Sequence, residues 1–243
     1  MKLYLVAGLA ASLLLSGCSN NSSAPAALVA KAYGAQIIEV SGGKQVGGVG
    51  SHLPDSVVVQ VNGTDGNAVT GALVSFRGDG LSFNPAQALS DSSGQVTTMV
   101  SLGAAPGDYQ LIAETPKPVG GSASLALREI ALGYQQKVGR EVNEQYCIRC
   151  HDQESTTERV SNFDNLTPQP HAFTDGNYLN KISDGDLITI ITQGGPALKK
   201  SAETPAYGST LSAAEIKAVV AYMRAIADPP YTPQAQRPNG ATK

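Results

Sequence analysis

Between residues 33 and 131 apolar and polar positions alternate at every second residue. Ile37-Ile38-Glu39-Val40 predicts one short strand and Val57-Val58-Val59-Gln60-Val61 another. Ala72, Val74 and Phe76 alternate with Leu73 and Ser75, Val96, Thr98, Val100 and Leu102 form a second series, and Tyr109, Leu111 and Ala113 a third. A period of two belongs to strands with one buried face. Asn62-Gly63-Thr64-Asp65-Gly66-Asn67 and Pro106-Gly107-Asp108 supply turns between the runs. Short strands at such spacing predict a β-sandwich.

From residue 133 the pattern turns helical. One helix is expected over Val138 to Tyr146 and another over Asp184 to Thr192, with Leu187, Ile188 and Ile191 on one face. Ser212-Ala213-Ala214-Glu215 is a capping box that opens a last helix. Its apolar stripe is Ile216, Val219, Val220 and Met223, and Pro229-Pro230 stops it. The expected architecture is therefore multidomain: an all-β sandwich over 33–131, then an all-α domain over 133–228. The Pro-rich, polar tail 229–243 is expected to be disordered.

The N-terminus reads as a targeting segment. Lys2 supplies its charge, and Leu3 to Leu15 form an apolar run too short to span a membrane. The run ends in Leu15-Ser16-Gly17-Cys18, which resembles the lipobox of bacterial lipoproteins. The resemblance implies removal of residues 1–17 and lipidation of Cys18. Ser19 resembles the sorting pattern of the outer membrane rather than the Asp of inner-membrane retention. Residues 18–32 then read as a flexible tether with a coil reach of roughly 20 Å.

Composition narrows the function. The chain has 243 residues, enough for about two small domains, and 42% of them are apolar. Its net charge of −3 provides no basic field for phosphates, so no nucleic-acid partner is expected. Of its three cysteines, the other two stand in Cys147-Ile148-Arg149-Cys150-His151.

That pentapeptide matches C-x-x-C-H, the attachment motif of c-type haem. Two cysteines three apart on a helical turn face the same way, so both thiols can meet the two vinyl groups of one haem. The adjacent histidine then offers its imidazole to the iron. A thioredoxin-like site would need a βαβ context. A zinc site would need further ligands, and the only other histidines are His52 and His171.

Two family resemblances follow. Residues 133–228 resemble class I cytochromes c. Gly139, Tyr146 and Tyr222 match that family's crossed terminal helices. Leu166-Thr167-Pro168-Gln169-Pro170-His171-Ala172-Phe173-Thr174-Asp175 resembles its L-x-P-x-P-x-D-F-T-D loop, and the stretch Gly194 to Tyr207 its G-G-a-a-x-G-K-S-x-x-M-P-x-W loop. Residues 33–131 resemble the bacterial Ig-like domains of invasins and intimins. The stretches that carry this are Val57–Val61, Asp65–Val69, Gly71–Phe76, Asp91–Val96 and Pro106–Tyr109. In that family such domains act as spacers or stalks, and a rigid spacer is expected.

The cytochrome resemblance implies one covalent haem c on Cys147, Cys150 and His151, with His151 as axial iron ligand. It also exposes a departure: Thr204 stands where the family places its axial methionine. A hydroxyl is a poor iron ligand, so the sixth position stays open among four outcomes. These are an empty or water-filled site, His171, Met223, and the Lys199/Lys200 pair. The expected function is electron transfer in the bacterial cell envelope by a non-enzymatic, lipid-anchored, outer-membrane cytochrome whose partners are other redox proteins. The alternative is a haem that binds CO or NO, or has peroxidatic activity, at an open sixth site.

Overall fold

A computed structural model describes Ala30, residues 32–154, Thr156 and residues 159–233. The segment 1–17, Cys18, most of the tether and residues 234–243 of the tail lie outside the described residues.

The N-terminal part is β-rich. Its strands are β1 (Gln36–Ser41), β2 (Val46–Gly48), β3 (Val57–Asn62), β4 (Leu73–Arg77), β5 (Ser82–Asn84), β6 (Gln87–Leu89), β7 (Gln95–Ser101), β8 (Gly107–Pro116) and β9 (Ser122–Leu132). They form a four-stranded sheet in the order β1-β3-β7-β5 and a five-stranded sheet in the order β2-β9-β8-β4-β6. All pairs are antiparallel except β2 with β9. The alternation seen in the sequence is the alternation of faces. Val57, Val59 and Val61 of β3, Val96 and Val100 of β7, Val74 and Phe76 of β4, and Leu111 and Ala113 of β8 meet in one core. Thr98 occupies the same buried row, and its Oγ1 donates to the carbonyl of Pro85 at 2.8 Å. That bond removes the penalty of burying a hydroxyl. Met99 points outward from β7.

β9, the longest strand, follows two rules in succession. Up to Leu127 the buried Ala123 and Leu127 and the half-buried Leu125 alternate with exposed Ser122, Ser124 and Ala126, but Glu129, Ile130, Ala131 and Leu132 are all buried. The strand end is covered on both faces, because the helical part packs on the outside. Ile130 and Leu132 form a small apolar core with Tyr222, joined by Val46, Ala225 and Ile226.

The helical part contains α1 (Tyr134–Val142), α2 (Ile148–His151), α3 (Gly176–Leu179), α4 (Asp184–Gln193) and α5 (Ala213–Ile226). Residues Asn143–Cys147 form a π-helical turn between α1 and α2. The first helix thus begins at Tyr134, ahead of the Val138 start that the apolar pattern suggests. It reaches the cysteines through a widened turn rather than as one α-helix. Asp175 and Asp228 form an isolated parallel bridge, the one extended pairing inside this helical part among the described residues.

α1 and α5 cross at Gly139. A Cβ there would collide with the Ala218 carbonyl and lie 2.8 Å from Cβ of Tyr222. The crossing therefore needs a residue without a side chain. The capping box that opens α5 is formed: Ser212 N–H donates to Glu215 Oε2 at 2.7 Å, and Glu215 N–H donates to Ser212 Oγ at 3.3 Å.

Arg224 of α5 ties the helices together. Its Nε donates to Asp184 at 2.8 Å, Nη1 to the Leu179 carbonyl at 2.7 Å and Nη2 to the Ile182 carbonyl at 2.6 Å. The two parts of the chain are joined by Arg128 of β9, whose Nη1 donates to the carbonyl of Ala227 and Nη2 to that of Ala225, each at 3.2 Å. Lys44 pairs with Asp228 at 3.1 Å, and Arg140 Nη1 donates to the Val46 carbonyl at 3.4 Å.

Candidate cofactor cleft

Cys147 ends the π-helical turn, and Cys150 and His151 follow in α2. All three border a cleft of about 450 Å³. Its other walls are the loop 166–173, the face of α4 carrying Leu187, Ile190 and Ile191, the loop 200–207, and Val219 and Met223 of α5. The volume lies within the roughly 300–1,000 Å³ of pockets that enclose small molecules and cofactors.

His151 is oriented by two contacts. Its Nδ1 lies 2.6 Å from the backbone carbonyl of His171. A carbonyl can only accept, so Nδ1 carries the proton. Burial holds the imidazole pKa below its ordinary value and so favours the neutral ring. In a neutral ring protonated at Nδ1, Nε2 keeps its lone pair for a metal, and the carbonyl fixes the ring's direction. Phe173 stacks on the same ring, with centroids 4.4 Å apart.

The cysteines are free thiols, both half-buried. Burial, with a further contribution from Cys150, pushes the Cys147 thiol up to about 12. It is protonated at neutral pH, unlike the low-pKa cysteine of a redox-active C-x-x-C. Tyr146 and Tyr207 pack edge to face beside it, at 5.8 Å, and the Tyr207 hydroxyl donates to the Tyr146 carbonyl at 3.1 Å. Burial raises the Tyr207 pKa, which keeps the phenol protonated.

The residues that the sequence offers as a sixth ligand are dispersed around the cleft. His171 stacks on Tyr178, with centroids 3.4 Å apart, and its Nδ1 meets Asp175 Oδ2 at 3.1 Å. Met223 is 3% exposed and packs with Leu179, Leu187 and Val220. Lys200 lies with Nζ 5.8 Å from the Tyr178 ring centroid, and Lys199 is exposed outside the cleft lining. Thr204 lies in the cleft wall, where Gly195 N–H donates to its carbonyl at 3.0 Å. Cys18 lies outside the described residues. No helix among the described residues is long and apolar enough to cross a membrane.

Phe173 and Tyr207 lie in the two loops that carry the cytochrome resemblance, whereas Tyr178 is a contributor that no motif marks. Arg224 reaches Asp184 across 40 positions, a pairing with no local sequence signal.

The donor set fits a c-type haem. It combines two thiols three residues apart, an imidazole with a free nitrogen, and a predominantly aliphatic and aromatic wall. Among the described residues no group of three or more His, Cys, Asp and Glu side chains could hold a metal ion by itself.

Residues 135–223 match the family model described as cytochrome c oxidase, cbb3-type, subunit III. They form a c-type cytochrome domain, a class defined by covalently bound haem. No curated protein matches the chain. Among solved structures, the D0-D1 domain of Intimin is 14% identical over 40% of this chain, with a TM-score of 0.29. The adhesin InvE of Yersinia pseudotuberculosis is 12% identical over 39%, with a TM-score of 0.25. A glycosyl hydrolase family 2 member from Bacteroides cellulosilyticus is 13% identical over 41%, with a TM-score of 0.29. The chain spans 47%, 31% and 14% of those three structures, respectively.

Proposed function

We propose that this chain is a monohaem c-type cytochrome that transfers electrons in the bacterial cell envelope and is not an enzyme. One haem c would be held through thioether bonds to Cys147 and Cys150, with the His151 imidazole available to its iron. The observation that carries this reading is the His151 geometry: Nδ1 is committed to the His171 carbonyl while His151 and both cysteines border one cleft. When bound, haem supplies a one-electron couple. The chain's own residues orient it and exclude water. His151 is aimed by His171 and Phe173, and the apolar faces of α4 and α5 enclose the site.

The lipobox-like Leu15–Cys18 supports anchoring through lipidated Cys18, at the outer membrane on the strength of Ser19. Three acyl chains, if the lipoprotein pattern holds, exceed the two signals that stable anchoring needs. The Ig-like domain then holds the cytochrome away from the bilayer, within reach of other redox proteins.

Purified holoprotein is expected to titrate as a single reversible one-electron centre and to exchange electrons with small redox mediators. A haem that cannot be cycled between two oxidation states would refute the carrier role. Cys18→Ala should move the protein out of the membrane fraction, and unchanged fractionation would count against the anchor.

A further inference from the structure

We infer that the sixth position of the haem is left to a small, neutral, exogenous ligand of the diatomic class, with the Thr204 hydroxyl as its hydrogen-bond partner. This inference rests on the haem reading above and concerns the face of the iron that His151 does not occupy.

A sixth ligand from the chain must bring a lone pair to the cleft, and His171, Met223 and Tyr207 are each held by other contacts. The backbone carbonyl of His171 bonds Nδ1 of His151. Nδ1 lies on the ring edge remote from Nε2, so the His171 backbone sits behind the fifth ligand. Its own ring is held on that side by the stack on Tyr178 and by the contact of Nδ1 with Asp175.

Met223 is buried in a cluster that also packs against Phe173, the ring stacked on His151. To reach the opposite face, its sulfur would have to leave that packing. Lys200 stands beside Tyr178, and an ammonium has no lone pair to give. Tyr207 spends its proton on the Tyr146 carbonyl, and a protonated phenol is not a ligand. Glu203 is exposed.

Thr204 remains. Its backbone is fixed by Gly195 N–H, its N–H reaches Ser201 O at 3.3 Å, and Lys200 N–H closes the same loop on the Gly195 carbonyl at 2.9 Å. At Gly195 itself a Cβ would collide with the Ser201 carbonyl and stand 3.1 Å from Thr204 Cβ, so the loop is closely packed there. This loop is not free to exchange Thr204 for a neighbour. A threonine hydroxyl is too weak a base to hold iron, yet it donates readily to the outer atom of a bound diatomic.

The test uses full-length holoprotein with carbon monoxide as the probe. Covalent haem content is checked first on denatured protein. The oxidised protein is expected to be high-spin, and the reduced protein to bind one CO per haem on mixing. Thr204→Val should keep CO binding and speed CO release about two- to tenfold, the loss of one hydrogen bond. Thr204→Met should give a low-spin centre that resists CO.

A wild-type protein that is low-spin and refuses CO overturns the inference. His171→Ala and Met223→Leu then show which side chain ligates. Unchanged CO release in Thr204→Val, or a high-spin, CO-binding Thr204→Met, overturns the assignment to Thr204. A chain with no covalent haem refutes the function proposed above and is distinguished by that first check.

Discussion

Replacing Arg128 by Ala tests how firmly the β-sandwich is built into the cytochrome domain. The last carbonyls of a helix have no partner within it. Arg128 reaches from β9 to the carbonyls of Ala225 and Ala227 at the end of α5, both at 3.2 Å. It also pairs with Asp108 at 2.8 Å. Hydrogen bonds from a charged donor contribute about 1.5–3 kcal/mol each. At 3.2 Å the lower figure is appropriate, so the two together contribute about 3 kcal/mol. The partly exposed Asp108 pair adds less than about 1 kcal/mol. A loss of about 3–4 kcal/mol corresponds to a fall in Tm of roughly 6–16 °C for a protein of this size. Thermal melts followed at the Soret band and by far-ultraviolet circular dichroism would measure it for each part. Arg128→Lys keeps the charge but not the fork, and should recover only a fraction of the loss. If Arg128→Ala leaves the Soret melt unchanged, the sandwich does not cap α5 and the contact has no energetic weight.

Three further outcomes are expected. Gly139→Ala gains about 1 kcal/mol of helix propensity but forces a Cβ into the Ala218 carbonyl, and overpacking of this kind costs about 1–3 kcal/mol; the net effect is a lower midpoint in urea, and a raised midpoint would refute the close crossing. Arg224→Met strands the Leu179 and Ile182 carbonyls and should cost about 3–5 kcal/mol in the same assay, whereas a loss below about 1 kcal/mol would contradict the clamp. Glu129 is fully buried, and desolvation raises its carboxyl to about 7, with a smaller contribution from the charge of Glu39. Above the ordinary value of 4.5 the unfolded chain releases this proton while the folded chain keeps it. Stability attributable to Glu129 therefore falls as pH rises from 4.5 to about 7, by up to about 3 kcal/mol, and is level above that. Glu129→Gln should flatten that decline between pH 5 and 8, and parallel pH profiles for the two proteins would refute the assignment.

Strands with one dry face were legible because alternation along β3, β4, β7 and β8 reports that face directly. β9 was not: Glu129 enters the sandwich side while Ile130 and Leu132 pack against Tyr222, so both faces are covered and the period vanishes. β2, β5 and β6 have only three residues each, too few to show a period. The capping box of α5 is a local code and could be read, whereas the π-helical turn before the cysteines has no such code. The same division runs through the site. Cys147, Cys150 and His151 are close together in the chain, so their chemistry is written there. The roles of His171, Asp175 and Tyr178 depend on α3, a four-residue helix that Asp175 caps by accepting from Tyr178 N–H. Once α3 forms, His171 lies against Tyr178 and bonds Asp175, and its availability as an iron ligand is decided by contacts the linear pattern does not display.

Covalent attachment of haem at the C-x-x-C-H motif is the claim on which the functional reading depends most directly. Holoprotein produced with haem-maturation machinery should be denatured, extracted with acid–acetone, alkylated and digested, and the peptide containing Cys147 to His151 weighed. The expected result is one haem on that peptide, both cysteines closed to alkylation, and none of the haem in the solvent. Alkylated thiols at Cys147 and Cys150, with haem released into the solvent, would contradict it.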